Sequence, residues 1–218
     1  MRVGILGTGE VGRAIGRGFV TLGHDVKMGG REAAGDKAVA WASEMGARAS
    51  TGTFADAAAF GEVLVLATLG VANERALRLA GTENLRGTEL IDATNPLDFS
   101  RGMPALAASG NDSGGERVQR LVPDAQVVKA FNTVGNALMF RPDLPGGPPD
   151  MFICGDRDDA KRTVASILED FGWGVIDVGG IESSRYLEAM CMVWVCRPPP
   201  VIPSLTASRS AGQVDGRV

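Results

Sequence analysis

The amino-acid sequence predicts an α/β fold, with a doubly wound parallel sheet and a small C-terminal α/β extension. Three observations predict this fold class. A short apolar strand, a glycine-rich turn and an amphipathic helix open the chain. Predicted strands then alternate with helical segments up to residue 131. The continuous apolar run 63–67 is typical of a central strand that helices cover on both faces.

The glycine-rich turn is the most specific of these features. It matches the spacing G-x-G-x-x-G with consecutive residues Gly7, Thr8, Gly9, Glu10, Val11 and Gly12. The apolar run 3–6 precedes it, and a segment follows in which Val11, Ile15 and Phe19 share one helical face. The same spacing also occurs in ordinary turns, but strand, turn and helix in this order form the dinucleotide fingerprint of the Rossmann fold.

Each glycine of the fingerprint has a physical role. The first allows a tight turn, the second lets the backbone approach a pyrophosphate, and the third lets the helix pack against the strand. The free N–H groups and the positive end of the helix would then hold the pyrophosphate.

The end of the second predicted strand indicates which dinucleotide binds. An NAD site carries an Asp or Glu there for the ribose 2′-hydroxyl, whereas this chain has Gly29 and Gly30. No carboxylate at this place repels a 2′-phosphate, and the planar guanidinium of Arg31 follows at once. We therefore predict NADP(H), with Gly30 and Arg31 at its adenosine end. The alternative is a solvated arginine in a loop.

The remaining elements follow from periodicity and from breaking residues. Strands are predicted where short apolar runs end at turns: 25–28, 47–50, 63–67, 89–93, 126–131, 151–154 and 175–178. Helices are predicted where apolar residues recur at helical spacing: 33–46, 54–60, 73–80, a segment through Leu121, 159–171 and 187–195. Asp158 and Asp159 suit the positive end of the helix that begins there.

A proline- and glycine-rich segment, 141–150, divides this pattern. We expect an NADP-binding Rossmann domain over about residues 1–140, with a small C-terminal extension over about 150–197, so that the ordered part covers 1–197. Three prolines, 198–200, cannot continue a helix. The composition of 198–218, rich in Ser, Pro, Arg, Gly and Ala, predicts a flexible tail.

Composition excludes several classes of function. The 22 basic and 26 acidic residues give a net charge of −4, which argues against non-specific nucleic-acid binding. No apolar stretch reaches the ~20 residues of a membrane span. The first residues lack the order of charge, apolar run and cleavage site that marks a signal peptide. We therefore predict a cytoplasmic protein without nucleic-acid or membrane partners.

The cysteine and histidine content limits the chemistry. The cysteines are Cys154, Cys191 and Cys196, an odd number without C-x-x-C spacing, so we expect buried, reduced thiols and no metal site. His24, the single histidine, lies in the turn before the second strand, at the end of the sheet opposite the cofactor crevice. Histidine-dependent mechanisms are therefore set aside, and we predict no catalytic side chain.

Four segments together resemble one family. They are residues 4–12, the Gly29-Gly30-Arg31 stretch, 92–97 and 128–135. The resemblance is to the NADP oxidoreductases that depend on coenzyme F420, an 8-hydroxy-5-deazaflavin, and the reductase domain of the STEAP metalloreductases is similar. It covers about residues 1–195. It implies hydride transfer between NADPH and coenzyme F420, or a flavin, by two aligned cofactors that need no acid or base from the protein.

The resemblance also implies roles for individual residues. Thr8, Gly9, Glu10 and Val11 would surround the pyrophosphate, and Arg31 would meet the 2′-phosphate. Thr68 and Leu69 would line the adenosine or ribose path. The residues expected near the nicotinamide are Asn95, Pro96, Ala130, Asn132, Thr133, Asn136 and Ala137. For Asn132 and Asn136, turn and helix capping is an equally good alternative.

The chain departs from the family pattern in three places. Many relatives have a serine where this chain has Gly30, so one bond to the 2′-phosphate would be missing. Relatives often carry an aromatic residue near Gly70. They also continue past Trp194 into an aromatic segment that helps to form the second cofactor site and a dimer. We expect that a reading-frame change or a divergent terminus explains the different ending here. The apolar helix 187–195 would pack on its own sheet or form a homodimer.

Two other functions remain open. The chain would be a non-catalytic NADP-sensing protein if bound NADPH is not consumed when a deazaflavin or flavin is added. It would be an imine or β-hydroxyacid reductase if a lysine served as the acid. The candidates for that role are Lys27, Lys37, Lys129 and Lys161, and the chain is short for the helical substrate domain of such enzymes.

Overall fold

Eight strands form one sheet with helices on both faces. The computed structural model describes residues 1–100 and 102–196; for Trp194 it describes the backbone alone. The strands of this sheet are β1 (Arg2–Leu6), β2 (Asp25–Gly30), β3 (Ala49–Thr53), β4 (Val63–Leu66), β5 (Glu89–Asp92), β8 (Gln126–Lys129), β9 (Asp150–Gly155) and β10 (Gly174–Asp177). Two further strands, β6 (Leu97–Asp98) and β7 (Ala105–Leu106), form a separate hairpin. The helices are α1 (Glu10–Thr21), α2 (Asp36–Met45), α3 (Phe54–Phe60), α4 (Asn73–Ala80), α5 (Gly114–Leu121), α6 (Asp158–Asp170) and α7 (Ser184–Val195).

The strand order confirms the doubly wound α/β fold. The strands lie in the order β10-β9-β8-β5-β4-β1-β2-β3, so the chain reverses its direction of travel at β1. On one side β1 pairs with β2, and on the other side with β4, both in parallel. Ligands of open α/β sheets bind beside the carboxyl ends of the strands at such a reversal.

One pair differs from the predicted parallel sheet. β8 and β9 are antiparallel, with Val128 opposite Gly155 and Lys129 opposite Cys154. A parallel pair needs a crossover connection, usually a helix. The connection from β8 to β9 contains only a short 3₁₀ turn, Asn136–Leu138, so β9 runs back along its neighbour. α6 then provides a crossover, and β10 is parallel to β9.

The core explains why α1 lies where the periodicity predicts it. Ile15 and Phe19 are fully buried against β1, while Val11 and Leu22 pack at the edge of the same cluster. The ring of Phe171, at the end of α6, lies 4.9 Å from the ring of Phe19. The predicted extension therefore adds strands to the same sheet and packs on the first helix. Its boundary with the Rossmann domain remains an interpretation.

Several element bounds differ from the predictions. β8 ends at Lys129 rather than at Phe131, because Phe131 has a left-handed backbone with φ of 62°. β3 extends to Thr53, whose side chain forms a capping box with Asp56 and begins α3. The predicted bounds of α3 and α4 match the structure. The sequence analysis missed the hairpin of β6 and β7.

The last helix has two different faces. Leu187, Glu188 and Cys191 of α7 are buried, whereas Tyr186 and Val193 are exposed. One face of α7 therefore packs within its own chain, where the helix contacts α5 and β7. Among the described residues, no helix combines the length and the apolar character needed to cross a membrane. The tail predicted for 198–218 lies outside the described residues, and the cytoplasmic location remains a prediction.

Candidate functional site

A cleft of about 510 Å³ opens at the carboxyl ends of β1, β4 and β5. Ten of its lining residues belong to the predicted site: Gly7, Thr8, Gly9, Glu10, Val11, Gly30, Arg31, Thr68, Leu69 and Asn95. They come from four separate stretches of the chain. The parallel order of the strands brings these stretches to one edge of the sheet.

The start of α1 provides an anion-binding surface in this cleft. Gly9 is the N-cap of the helix, and no side chain caps it. The first turn of a helix leaves its N–H groups without helical partners, and these carry the positive end of the helix dipole. Glu10 is paired with Arg13, which offsets its charge beside this surface. A pyrophosphate therefore fits against the backbone of residues 9–12.

Gly7 and Gly9 serve different purposes. Gly7 has φ of 139°, and a Cβ there would lie 2.3 Å from the carbonyl oxygen of Ala67, so this glycine is required by the fold. Gly9 has φ of −79°, which any residue adopts, and a Cβ there meets no atom within 4 Å. The space beside Gly9 is open cleft. Gly9 therefore stands where a side chain would contact a ligand in the cleft but no atom of the protein.

We expect Gly9→Ala to weaken NADPH binding by about tenfold, or about 1.4 kcal/mol, because the new methyl group occupies the place of the pyrophosphate. A fluorescence titration with NADPH measures the loss. The free energy of unfolding should fall by less than about 1 kcal/mol, the usual range for an N-cap change. Gly35→Ala, at the N-cap of α2 and outside the cleft lining, is the matched control. Equal affinities of both variants for NADPH would contradict this role of Gly9.

The part of the cleft predicted to hold the adenosine lies at the end of β2. Arg31 is exposed, and its guanidinium forms no hydrogen bond or ion pair with the described residues. Gly30 is buried, and a Cβ there would lie 3.2 Å from Cγ2 of Thr8. No acidic side chain from β2 lines this end of the cleft. The arrangement fits a 2′-phosphate at Arg31.

Two asparagines link the ends of β5 and β8. The amide nitrogen of Asn95 donates to the carbonyl oxygen of Asn132 at 2.8 Å, and that of Asn132 donates to Oδ1 of Asn95 at 3.0 Å. The nitrogen of Asn132 also donates to the carbonyl oxygen of Leu187 at 3.0 Å. Asn132 is buried, so its amide nitrogen has a structural role that joins α7 to the sheet.

Seven predicted site residues do not line the cleft: Gly12, Pro96, Ala130, Asn132, Thr133, Asn136 and Ala137. Gly12 lies behind the turn, where a Cβ would meet the carbonyl oxygen of Gly7 at 2.5 Å. Asn136 and Ala137 line a separate groove of about 310 Å³ beside α1, with Trp41 and Phe140. The loop after β8 places them there, since its 3₁₀ turn, Asn136–Leu138, contacts α1. Ligand contacts of these seven residues remain predictions.

The sequence analysis missed six residues that line the cleft: Phe54, Ala67, Gly70, Ala93, Thr94 and Leu97. Three of them, Ala67, Ala93 and Thr94, directly follow β4 or β5, so the rule of strand carboxyl ends identifies them. Phe54 begins α3 and Leu97 begins the unpredicted hairpin. No local pattern marks these two, since their place depends on how the helix and the hairpin fold over the sheet.

A buried ion cluster supports the floor of the cleft. Nζ of Lys129 lies 2.9 Å from Oδ2 of Asp92 and 2.9 Å from Oε1 of Glu188, and all three side chains are essentially inaccessible. The same Nζ donates to the carbonyl oxygen of Thr94 at 2.8 Å. The carboxylate of Glu188 accepts the N–H groups of Gly114 and Gly115 at the start of α5. The cluster thus joins β5, β8, α5 and α7.

The charges of this cluster support one another. Burial alone lowers the pKa of Lys129, but the neighbouring carboxylates of Asp92 and Glu188 outweigh this effect and raise the pKa. Lys129 is therefore a cation without access to the cleft. The titratable side chains that do line the cleft are Glu10 and Arg31, both at the phosphate end.

Other predicted features lie away from the cleft. His24 precedes β2, and burial, together with the nearby chain N-terminus, lowers its pKa. The thiols of Cys154 and Cys191 are buried, and burial raises their pKa to about 12 and about 11. Cys196 is partly exposed. Among the described residues, no group of His, Cys, Asp and Glu is arranged to hold a metal ion.

Comparison with known proteins agrees with the geometry of this cleft. The family model for coenzyme F420-dependent NADP oxidoreductases matches residues 2–96, which include the fingerprint turn, Arg31 and Thr68. The chain is 30% identical over 200 residues to the F420-dependent NADP reductase of Methanothermobacter marburgensis, covering 86% of this chain and 88% of that enzyme.

Two further relatives extend the comparison. The chain is 30% identical over 190 residues to the metalloreductase STEAP3 of Rattus norvegicus, and it spans only 36% of that longer protein. A crystal structure of a proposed F420-dependent NADP reductase from Arthrobacter sp. FB24 superposes with a TM-score of 0.83 at 39% identity, covering 89% of this chain and 91% of that one. The chain therefore belongs to the family of coenzyme F420-dependent NADP oxidoreductases.

Proposed function

We propose that this NADP-dependent oxidoreductase transfers hydride between NADPH and the deazaflavin coenzyme F420, or a flavin in its place. The observation that carries the proposal is the unequal distribution of charge in the cleft. Its phosphate end has Arg31 and the uncapped start of α1, whereas the part of its lining from β4 to Leu97 has no titratable side chain. A site of this kind binds and aligns redox cofactors rather than exchanging protons with them.

Direct hydride transfer suits such a lining. The nicotinamide and the deazaflavin, when bound, supply carbon atoms C4 and C5 between which the hydride passes. The chain's part is to hold the two rings with the reacting atoms ~3–3.5 Å apart and to exclude water. Thr68 and Asn95 would hold the polar edges of the rings, since they lie beyond the carboxyl ends of β4 and β5.

An apolar rim supports a second, flat ring system beside the nicotinamide. Leu69 and Val71 are exposed after β4, and Phe99 and Met103 are exposed in the hairpin loop after β6. The strand β6 contacts the turn Gly70–Ala72, so these two segments are neighbours. Large exposed apolar side chains beside a cleft are typical of a ligand-binding surface. A flavin would fit the same rim, so the acceptor is decided by experiment.

The two alternatives are less well supported. The lysines considered for an imine or β-hydroxyacid reductase do not line the cleft, and Lys129 is held inside the buried ion cluster. A non-catalytic NADP sensor would share the phosphate end of the cleft, and only a turnover measurement separates it from an enzyme.

Mixing the protein with NADPH and oxidised coenzyme F420 tests the proposal. We expect the visible absorbance of the coenzyme to decrease, and to decrease more slowly when NADH replaces NADPH. A parallel reaction with FMN instead of the deazaflavin identifies the acceptor. Tight binding of NADPH without consumption by either acceptor would contradict the proposal and favour the NADP sensor.

We also propose a homodimer. The outward face of α7 presents Tyr186, Met190 and Val193, which are exposed and share helical spacing. Apolar faces of this kind are usually covered in solution. A second copy of the chain is the partner that the family resemblance implies.

A further inference from the structure

A chain of hydrogen bonds connects the buried carboxylate of Asp92 with the surface of the cleft. Oγ1 of Thr94 donates to Oδ1 of Asp92 at 2.6 Å. Nδ2 of Asn73 donates to Oγ1 of Thr94 at 2.7 Å, and Oγ1 of Thr68 donates to Oδ1 of Asn73 at 2.7 Å. Thr68 and Thr94 both line the cleft, while Asn73 and Asp92 are buried behind it.

The direction of every bond in this chain follows from Asp92. Its carboxylate is ion-paired with Lys129 and has no proton to donate, so the hydroxyl of Thr94 must donate to it. The oxygen of Thr94 is then free only to accept, and the NH₂ group of Asn73 must face it. The carbonyl oxygen of the Asn73 amide consequently faces Thr68. The single hydroxyl proton of Thr68 is therefore directed away from the cleft.

The direction of the bond from Thr68 to Asn73 limits which groups of a ligand Thr68 can bind. With its proton committed to Asn73, Oγ1 of Thr68 has only acceptor capacity left for a ligand. We propose that Thr68 is a specificity-determining acceptor, which recognises an N–H or O–H donor of the bound dinucleotide. The groups of NADP(H) with this chemistry are the carboxamide N–H of the nicotinamide, the ribose hydroxyls and the 6-amino N–H of the adenine. The inference rests on the proposed binding of NADP(H) in this cleft.

Replacement of the hydroxyl tests the contact directly. We expect Thr68→Val, which keeps the shape of the side chain, to weaken NADP⁺ binding about five- to tenfold in equilibrium titrations. Thr68→Ser keeps the hydroxyl and should restore the affinity to within about twofold. Thr163→Val, on α6 and outside the cleft lining, is the matched control and should leave the affinity unchanged.

A double-mutant cycle tests the chain of bonds behind Thr68. Thr94→Val removes the acceptor that orients the amide of Asn73. The amide can then turn its NH₂ group toward Thr68, which leaves the hydroxyl proton of Thr68 free to point into the cleft. We expect Thr94→Val to weaken NADP⁺ binding in the wild-type background and to have no further effect in the Thr68→Val background. Equal losses in both backgrounds would show that Thr94 acts independently, and would overturn the inference. Thr94→Ser, which keeps the hydroxyl, controls for folding.

An analogue separates the carboxamide from the other possible donors. The 3-acetylpyridine analogue of NADP⁺ keeps the carbonyl group but lacks the carboxamide N–H. If Thr68→Val no longer affects binding of this analogue, the donor is the carboxamide; if the effect persists, the donor is a ribose hydroxyl or the adenine amino group. Equal binding of NADP⁺ by the wild type and by Thr68→Val overturns the inference alone, whereas failure of the wild type to bind NADP⁺ contradicts the proposed function.

Discussion

We expect Lys129→Met to lower the free energy of unfolding by about 3–5 kcal/mol. The substitution keeps the length of the side chain but removes the cation that pairs with Asp92 and Glu188, both of which are buried. Each carboxylate would then be buried without its ion partner, and the carbonyl oxygen of Thr94 would lose a donor. Urea denaturation measures the loss, provided that the m-value, the slope of the unfolding free energy against urea concentration, is the same for both proteins.

A second lysine gives the matched comparison. Lys161 also pairs with two carboxylates, Asp158 and Asp177, but these are 80% and 46% exposed. Lys161→Met should therefore cost no more than about 1 kcal/mol. Similar losses for the two variants would contradict the buried cluster as a major source of stability.

The raised pKa of Lys129 sets the pH range of this contribution. A group whose pKa is raised on folding stabilises the fold fully below its unfolded value, and the stabilisation is lost as the pH rises through the folded value. For Lys129 the ordinary value is 10.5, so the difference between the wild type and Lys129→Met should persist through neutral pH and shrink only in strong alkali.

We expect Arg31→Ala to weaken NADPH binding by about 1.5–3 kcal/mol, which corresponds to roughly ten- to a hundredfold. The guanidinium has no partner among the described residues, so its charge is available for the 2′-phosphate. NADH lacks that phosphate, and its affinity should change by less than about twofold. Titration of both cofactors measures the ratio, and equal losses would contradict the assignment of Arg31.

Two further variants define the role of Arg31. Arg31→Lys keeps the charge but loses the planar pair of donors, so it should retain part of the preference for NADPH. Arg162→Ala removes an exposed arginine of α6, outside the cleft lining, and controls for the change in net charge. If Arg162→Ala weakened NADPH binding as much as Arg31→Ala, general electrostatic attraction would explain the effect.

The cleft lining at the start of α1 and at the end of β2 was predictable because its information is local. The turn from Gly7 to Gly12 lies within one strand–turn–helix unit, and Arg31 follows the next strand directly. Spacing along the chain therefore reports spacing in the fold. The same reasoning correctly indicated the apolar face of α1 and the bounds of α3 and α4.

The surroundings of the residues predicted near the nicotinamide were less predictable, because their contacts join distant parts of the chain. The predicted Asn132 holds Asn95 and α7 instead of lining the cleft, and its partners lie 37 and 55 residues away. The loop after β8 carries Asn136 and Ala137 to a different groove. The left-handed backbone of Phe131 ends β8 early. The sequence does not indicate this conformation, because residues other than glycine rarely adopt it.

By itself, the sequence determined the fold class, the fingerprint turn and the absence of an acidic residue at the end of β2, since each depends on residue order and periodicity. Only the tertiary structure decided that Asp92 and Lys129, 37 residues apart, meet where β5 and β8 are neighbours, and that Glu188 of α7 completes their cluster. The sequence around a lysine in a predicted strand does not indicate which acidic residue will pair with it. The pairing of strands and the packing of α7 on them select that partner, because a buried charge is stable only where opposite charges surround it.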